Sequence, residues 1–236
     1  MDFWAIIGGV GNENSMARTR KYFQWKLAQS AELKWWQRYL KDKEVEAYKL
    51  DKQRYWKQVL GDLPVKFNDF EGLDVLDAGC GPAGIFMSLP KANVDAVDPL
   101  LEHYHLTLKH FDKGDYPWVR FFESSLEDFA VQKQYDVVFC INAINHVADI
   151  SLCYNKLSEW VKPGGYLIIS IDSHQIPGLK HIFRWLPGDI LHPHQYDKRD
   201  YAAFLTKHGF EMEQERMLAE GILFNHVLQI ARKKEV

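Results

Sequence analysis

A carboxylate and three glycines stand at the end of an apolar run in Val75-Leu-Asp-Ala-Gly-Cys-Gly-Pro-Ala-Gly84. Val75 and Leu76 read as the end of a buried strand. Gly79 and Gly81 let the backbone turn sharply and approach a ligand, and Gly84 permits close packing where Ile85, Phe86 and Leu89 open the next element. As spelled, Gly79-x-Gly81-x-x-Gly84 also fits a dinucleotide turn, so the glycines alone indicate a nucleoside-bearing ligand without naming it. Asp77 bears on the choice. A carboxylate two residues before the first glycine would repel a pyrophosphate resting on helix amides. It suits a ligand carrying both an ammonium and a carboxylate group: Asp77 would hold the ammonium, and the amides of the turn through Gly79, Cys80 and Gly81 would receive the carboxylate.

Asp98 ends a second apolar run, Val94-Asp-Ala-Val-Asp-Pro99, nineteen positions beyond Gly79. An acid there can accept hydrogen bonds from both hydroxyls of a ribose, which assigns Asp98 and the adjoining Pro99 to the nucleoside. Asp95 falls on the opposite side of the strand by the period of two and is expected to be a solvated or helix-facing acid. Further on, Tyr135-Asp-Val-Val-Phe-Cys-Ile-Asn-Ala-Ile-Asn-His-Val147 is a strand and the turn leaving it. Ligands of open α/β sheets lie beyond the carboxyl ends of the strands, so Ile141, Asn142, Asn145 and His146 belong to the rim of the site. His146 could orient an acceptor, take a proton from it, or simply pack at a helix start.

The elements that must position these residues alternate in the manner of a parallel α/β sheet. Strands are expected near 74–76, 93–97, 119–123, 136–140 and 166–171, and helices near 85–89, 100–112, 151–161 and 198–208, with a short turn at 126–129. Two last strands, 210–219 and 224–231, read as a hairpin at a sheet edge. Before the sheet, residues 18–60 read as two or three helices rich in rings. Trp56, Val59 and Leu60 recur at helical spacing and are expected to pack on the core, while Trp25, Trp36 or Tyr48 could close over a ligand. The division expected is an N-terminal arm and helical cap over 1–64 and a binding domain over 65–236, with no readable signal in the first 15 residues. A long connection, 172–200, carries His174, His181, His192 and His194 beside the strand ends and is the best place for acceptor recognition.

Composition narrows the classes further. The net charge of −3 shows no nucleic-acid footprint, and no apolar run approaches the roughly 18–20 residues that span a bilayer. Cys80, Cys140 and Cys153 are odd in number and lack Cys-x-x-Cys spacing, which argues against a disulfide framework and for a cytoplasmic setting. The histidine spacings match no standard zinc pattern, so no metal site is expected.

In its glycine turn, its ribose acid and the Lys162-Pro-Gly-Gly165 turn ahead of the fifth strand, the chain resembles the class I S-adenosylmethionine-dependent methyltransferases over about 69–231. The family's first motif commonly reads Asp-x-Gly-x-Gly; Ala83 stands where many members have a third glycine. The resemblance implies a Rossmann-like, seven-stranded, mostly parallel sheet flanked by helices, with an antiparallel C-terminal edge hairpin. It implies S-adenosyl-L-methionine as cofactor and a methyl-transfer reaction, while the acidic balance and the ring-rich N-terminal helices favour a small, partly apolar acceptor, with no nucleic-acid or membrane partner. It places Ser125 and Leu126 at the adenine, although many relatives carry aspartate at the position of Ser125, and it offers His146 and His194 as bases. The rival readings are an NAD-dependent oxidoreductase, which shares the glycine turn and ribose acid, and a protein that binds the cofactor without catalysis.

Overall fold

The computed structural model describes residues 10–61, 63, 67–174, 198–220 and 224–235. Two helices open it, α1 (Val10–Leu40) and α2 (Val45–Gly61), followed by strands β1 (Asp74–Ala78), β2 (Asn93–Asp98), β3 (Val119–Glu123), β4 (Tyr135–Cys140) and β5 (Val161–His174). Short α3 (Leu101–Thr107) lies between β2 and β3, α4 (Ile150–Trp160) joins β4 to β5, and α5 (Lys198–Lys207) precedes the hairpin of β6 (Phe210–Glu220) and β7 (Phe224–Lys233). The seven strands run in the order β3-β2-β1-β4-β5-β7-β6. The first five are parallel, and β7 inserts antiparallel between β5 and β6.

Alternation along the strands builds two apolar layers. Val75, Val94, Ala96, Val137, Phe139 and Ile168 face one side, where Leu40 of α1 and Tyr48, Trp56 and Val59 of α2 join the same core. Leu76, Val97, Val138, Leu167 and Ile169 face the other, against Tyr154, Leu157 and Trp160 of α4 and Tyr201 and Leu205 of α5. The two N-terminal helices therefore share a core with the sheet. Two indoles pin the segment after the glycine turn: Trp56 Nε1–H donates to the Ala83 carbonyl at 2.9 Å and Trp118 Nε1–H to that of Phe86 at 3.1 Å.

Four expectations are corrected. Residues 85–89 form only a single 3₁₀ turn, Ile85–Ser88, because Pro90 disfavours a helical residue before it and leaves no room for a longer helix. The helix expected over 100–112 stops at Thr107; Leu108 turns extended, and it and Phe111 enter the core. The fifth strand begins at Val161, ahead of the Lys162-Pro-Gly-Gly165 turn, which is taken up as an irregularity where Tyr135 pairs with Val161 and Val137 with Tyr166. Asp95 is not solvated: it is 1 % exposed, Arg120 across the β2–β3 ladder donates to both of its oxygens at 2.7 Å, and the Tyr135 hydroxyl donates at 2.8 Å. No helix among the described residues is long and apolar enough to cross a membrane.

Candidate active site

In chain order the sheet grows from β1 through β2 to β3 on one side, then resumes with β4 on the other side of β1. Loops leaving β1 and β4 consequently diverge and open a crevice at their carboxyl ends, the position at which open α/β sheets bind ligands. The turn after β1 is held from β2: the amides of Gly79 and Cys80 both donate to the Val97 carbonyl, at 2.8 and 3.1 Å. Gly79 has φ 75° and Gly81 φ 55°, backbone conformations that favour glycine. A Cβ on Gly79 would also collide with the Cβ of Ala143 from the loop after β4. Gly79→Ala is accordingly expected to push the two loops apart and reduce cofactor affinity at least tenfold, read by titration calorimetry; an unchanged affinity would show that this turn does not border the ligand.

Asp98, at the end of β2, ties the turn to the next strand. Its Oδ2 accepts the Gly81 N–H at 3.0 Å and its Oδ1 accepts the Leu100 N–H at 2.9 Å. It is only 6 % exposed, and burial, followed by the negative charge of Glu32, raises its pKa above the ordinary carboxylate value.

Between these loops and α1 lies a cleft of about 440 Å³, open mouth included. Gly79, Asp98, Pro99, Ser125, Leu126, Asn142 and His146 all line it, so residues from the ends of four strands, β1 to β4, expected on sequence grounds to share a site, do meet. Asn142 sits at φ 54°; its amide donates to the Ser170 hydroxyl at 2.8 Å, and that hydroxyl donates back to Asn142 Oδ1 at 3.3 Å. His146 ends the 3₁₀ turn Ile144–His146 on the rim.

Other expected residues are placed differently. Asp77 is 2 % exposed and absent from the lining of the cleft; its Oδ2 accepts the Phe86 N–H at 3.1 Å, closing the turn after the glycines from below. Burial pushes its pKa up to about 7, with the Phe86 and Ile85 amides opposing the rise. Its contribution to the site is therefore the shape of the glycine turn, and this placement does not support the expected contact with an ammonium. Cys80 is buried in the core and its thiol is shifted well upward by burial, while Ile141 packs on the same core; neither lines the cleft. Gly81 contributes its amide to Asp98 and is covered by the Trp36 ring. The Ser125 hydroxyl is taken by Asp128, donating to Oδ2 at 2.9 Å and accepting that residue's N–H at 3.1 Å, so it caps a turn and is not a ready adenine acceptor. Asn145, expected on the rim, is 2 % exposed and receives the Tyr201 hydroxyl at 2.7 Å. His194 and most of the 172–200 connection lie outside the described residues.

Sequence reasoning missed part of the wall. Gln29, Glu32, Glu127, Ala143 and Val147 line the cleft, as does Trp25, one of the three rings considered for a lid. Tyr48 is buried against His110 instead. Trp25, Gln29 and Glu32 have the i, i+4, i+7 spacing of one helix face, a signal present in the sequence but not tied there to any ligand.

The cleft fits a nucleoside carrying an amino acid better than a dinucleotide. No α-helix starts after the glycine turn: the segments Gly81–Ala83 and Ile85–Ser88 are single 3₁₀ turns, which leaves a pyrophosphate without the aligned amides of a helix N-terminus. The wall instead offers the carboxylates Glu32, Asp98 and Glu127, which favour hydroxyl and ammonium donors.

Comparisons with known proteins agree with that chemistry. The family model described as "Methyltransferase domain" matches residues 48–215. A ubiquinone biosynthesis O-methyltransferase of Rickettsia bellii (strain OSU 85-389) is 28 % identical over 172 residues, covering 67 % of this chain and 68 % of its own. One from Azorhizobium caulinodans is 29 % identical over 160 residues, 61 % of each chain. Among solved structures, magnesium protoporphyrin IX methyltransferase from Synechocystis PCC 6803 with bound SAH superposes with a TM-score of 0.60 at 19 % identity, covering 91 % of this chain and 99 % of that one. The N-methyltransferase NodS from Bradyrhizobium japonicum WM9 shares the fold at a TM-score of 0.58 and 12 % identity, covering 77 % and 98 %. With the family match spanning well over half of the sequence, the oxidoreductase reading is set aside, and the chain belongs to the methyltransferase domain family as a class I S-adenosylmethionine-dependent methyltransferase.

Proposed function

We propose that this enzyme is an O-methyltransferase acting on a ring hydroxyl of a small, partly apolar acceptor. The observation that carries the reading is His146 on the rim of a cleft whose wall also presents Trp25, Leu126, Ala143 and Val147. A hydroxyl must lose its proton as it attacks, and imidazole titrates near neutrality, whereas a neutral amine attacks through its lone pair without a base. The O-methyltransferase names of the curated relatives support the same acceptor atom. The fold does not decide it, since an N-methyltransferase shares that fold.

In this reading the donor supplies a sulfonium-activated methyl group, which the acceptor oxygen takes by in-line displacement with S-adenosylhomocysteine leaving. The protein's part is to hold the two reactants aligned, worth roughly 7–11 kcal/mol in favourable intramolecular reactions. Asp98 and Pro99 hold the ribose, Leu126 covers the adenine, and the Gly79 turn with Asn142 borders the amino-acid end, while α1, from the proposed 1–64 cap, forms the lid. An acidic lining disfavours nucleic acid.

The test uses S-adenosylmethionine labelled in its methyl group with a catechol bearing a prenyl tail, and the matching aniline as control. Label in the ether methyl of the catechol alone is the expected result, and His146→Ala should lower kcat by roughly 10²–10⁴-fold with little change in donor affinity. Label on nitrogen or carbon would overturn the assignment of the acceptor atom, and an unchanged kcat would remove His146 as base and leave His194 in that role. Tight donor binding with no transfer to a broad acceptor panel would favour the non-catalytic reading.

A further inference from the structure

The cleft presents three carboxylates, and two of them are engaged by backbone. Asp98 accepts the Gly81 and Leu100 amides, and Glu127 Oε1 accepts those of Ala148 and Asp149 at 2.6 and 3.1 Å. Glu32 differs. It reaches the cleft from α1, its Oε1 accepts the Tyr104 hydroxyl at 3.1 Å, and among the described residues no lysine, arginine or histidine pairs with it. Its negative charge instead acts on Asp98, a second lining acid that is 6 % exposed.

One turn before it stands a second uncompensated group. Gln29 lines the same cleft at 8 % exposed, and its carboxamide oxygen is buried without a hydrogen-bond partner. A buried polar atom left unpaired is costly, and such sites in native proteins call for an explanation. Spaced by three, Gln29 and Glu32 share a helix face, and the tip of a carboxamide can rotate to meet an incoming donor.

The methyl donor has one group that needs such an environment. Its ribose diol is provided for by Asp98, and its carboxylate would be repelled by a second acid. The α-ammonium brings a positive charge and three N–H donors, and Asp77, the acid first expected to receive it, is turned beneath the glycine turn. We propose that Glu32, with the Gln29 carboxamide one turn before it on α1, binds the α-ammonium group of the donor's amino-acid moiety. The Tyr104 hydroxyl positions the carboxylate for this contact. The proposal rests on the donor reading of the cleft and extends it to the N-terminal helix, which would then be tied to the strand ends through the bound donor.

The experiment is titration calorimetry of the full chain with S-adenosylhomocysteine and with 5′-methylthioadenosine, which keeps the adenosine thioether but lacks the amino acid. Glu32→Gln should weaken S-adenosylhomocysteine roughly tenfold to a hundredfold, the loss of one charge-assisted hydrogen bond, and change 5′-methylthioadenosine less than about twofold. Gln29→Leu should weaken the same ligand selectively, by roughly threefold to tenfold. Equal losses on both ligands would place these residues at the adenosine, and no loss would place them outside the site; either result overturns the proposal. If Glu32→Gln lowers the melting midpoint of the free protein, Gln29→Leu decides by the same pair of ligands. Failure of the wild-type chain to bind either ligand would instead sink the donor reading itself.

Discussion

Asp98→Ala is expected to weaken S-adenosylhomocysteine binding at least a hundredfold while leaving the chain folded. Two losses combine on the binding side. The ribose hydroxyls lose their carboxyl acceptor, at about 0.5–1.5 kcal/mol for each hydrogen bond and more where the carboxyl is ionised, and the Gly81 amide that shapes the glycine turn loses its anchor. On the folding side the effects oppose one another. The Gly81 and Leu100 amides are left unpaired, at about 1–3 kcal/mol each, but a buried carboxylate that burial and Glu32 already drive toward its protonated form is removed. Binding should therefore suffer much more than stability. Calorimetry with S-adenosylhomocysteine and the melting midpoint of the free protein separate the two, and an affinity within a few-fold of wild type would rule out Asp98 as the ribose acid.

The second large effect is a loss of stability with rising pH. Asp77 is buried, and its pKa in the folded chain lies near 7, against an ordinary value of 3.8. Between those values the folded chain keeps the proton and the unfolded chain releases it, so the native state binds more protons and stability falls as pH rises. The contribution is complete below about pH 3.8 and is lost by the time pH passes about 7. A shift of that size corresponds to about 4 kcal/mol at 1.36 kcal/mol per unit, an upper figure for a single group. Asp98, raised for the same reason, acts in the same direction. Urea unfolding of the free protein should give a midpoint clearly higher at pH 5 than at pH 8, and Asp77→Asn should flatten that slope while still accepting the Phe86 amide. A wild-type midpoint that rises across this interval would contradict the burial assigned to Asp77.

How much of this was legible depended on whether the information lay in contiguous residues. The strand-turn-strand order, the positive φ at Gly79 and Gly81 and the position of Asp98 at a strand end were all readable, because a tight turn requires glycine and a buried parallel strand requires an apolar run. The 3₁₀ turn in place of a helix at 85–89 was readable in principle from Pro90. The burial of Asp95 was not, since period-two alternation assigns a face but cannot reveal that Arg120 and Tyr135 wait there to pair with the acid.

The sequence by itself determined the cofactor class, the order of the elements and which loops border the cleft, since backbone turns and strand periodicity are local properties. Only the tertiary structure decided which acids line the cleft. Asp77, beside the glycines, is drawn under the turn by the Phe86 amide, and the Ser125 hydroxyl is claimed by Asp128. Glu32, forty-five positions before Asp77, is swung into the cleft because α1 packs over the strand ends. A side chain's direction is set by competing partners from distant segments, and those partners exist only once the chain has folded.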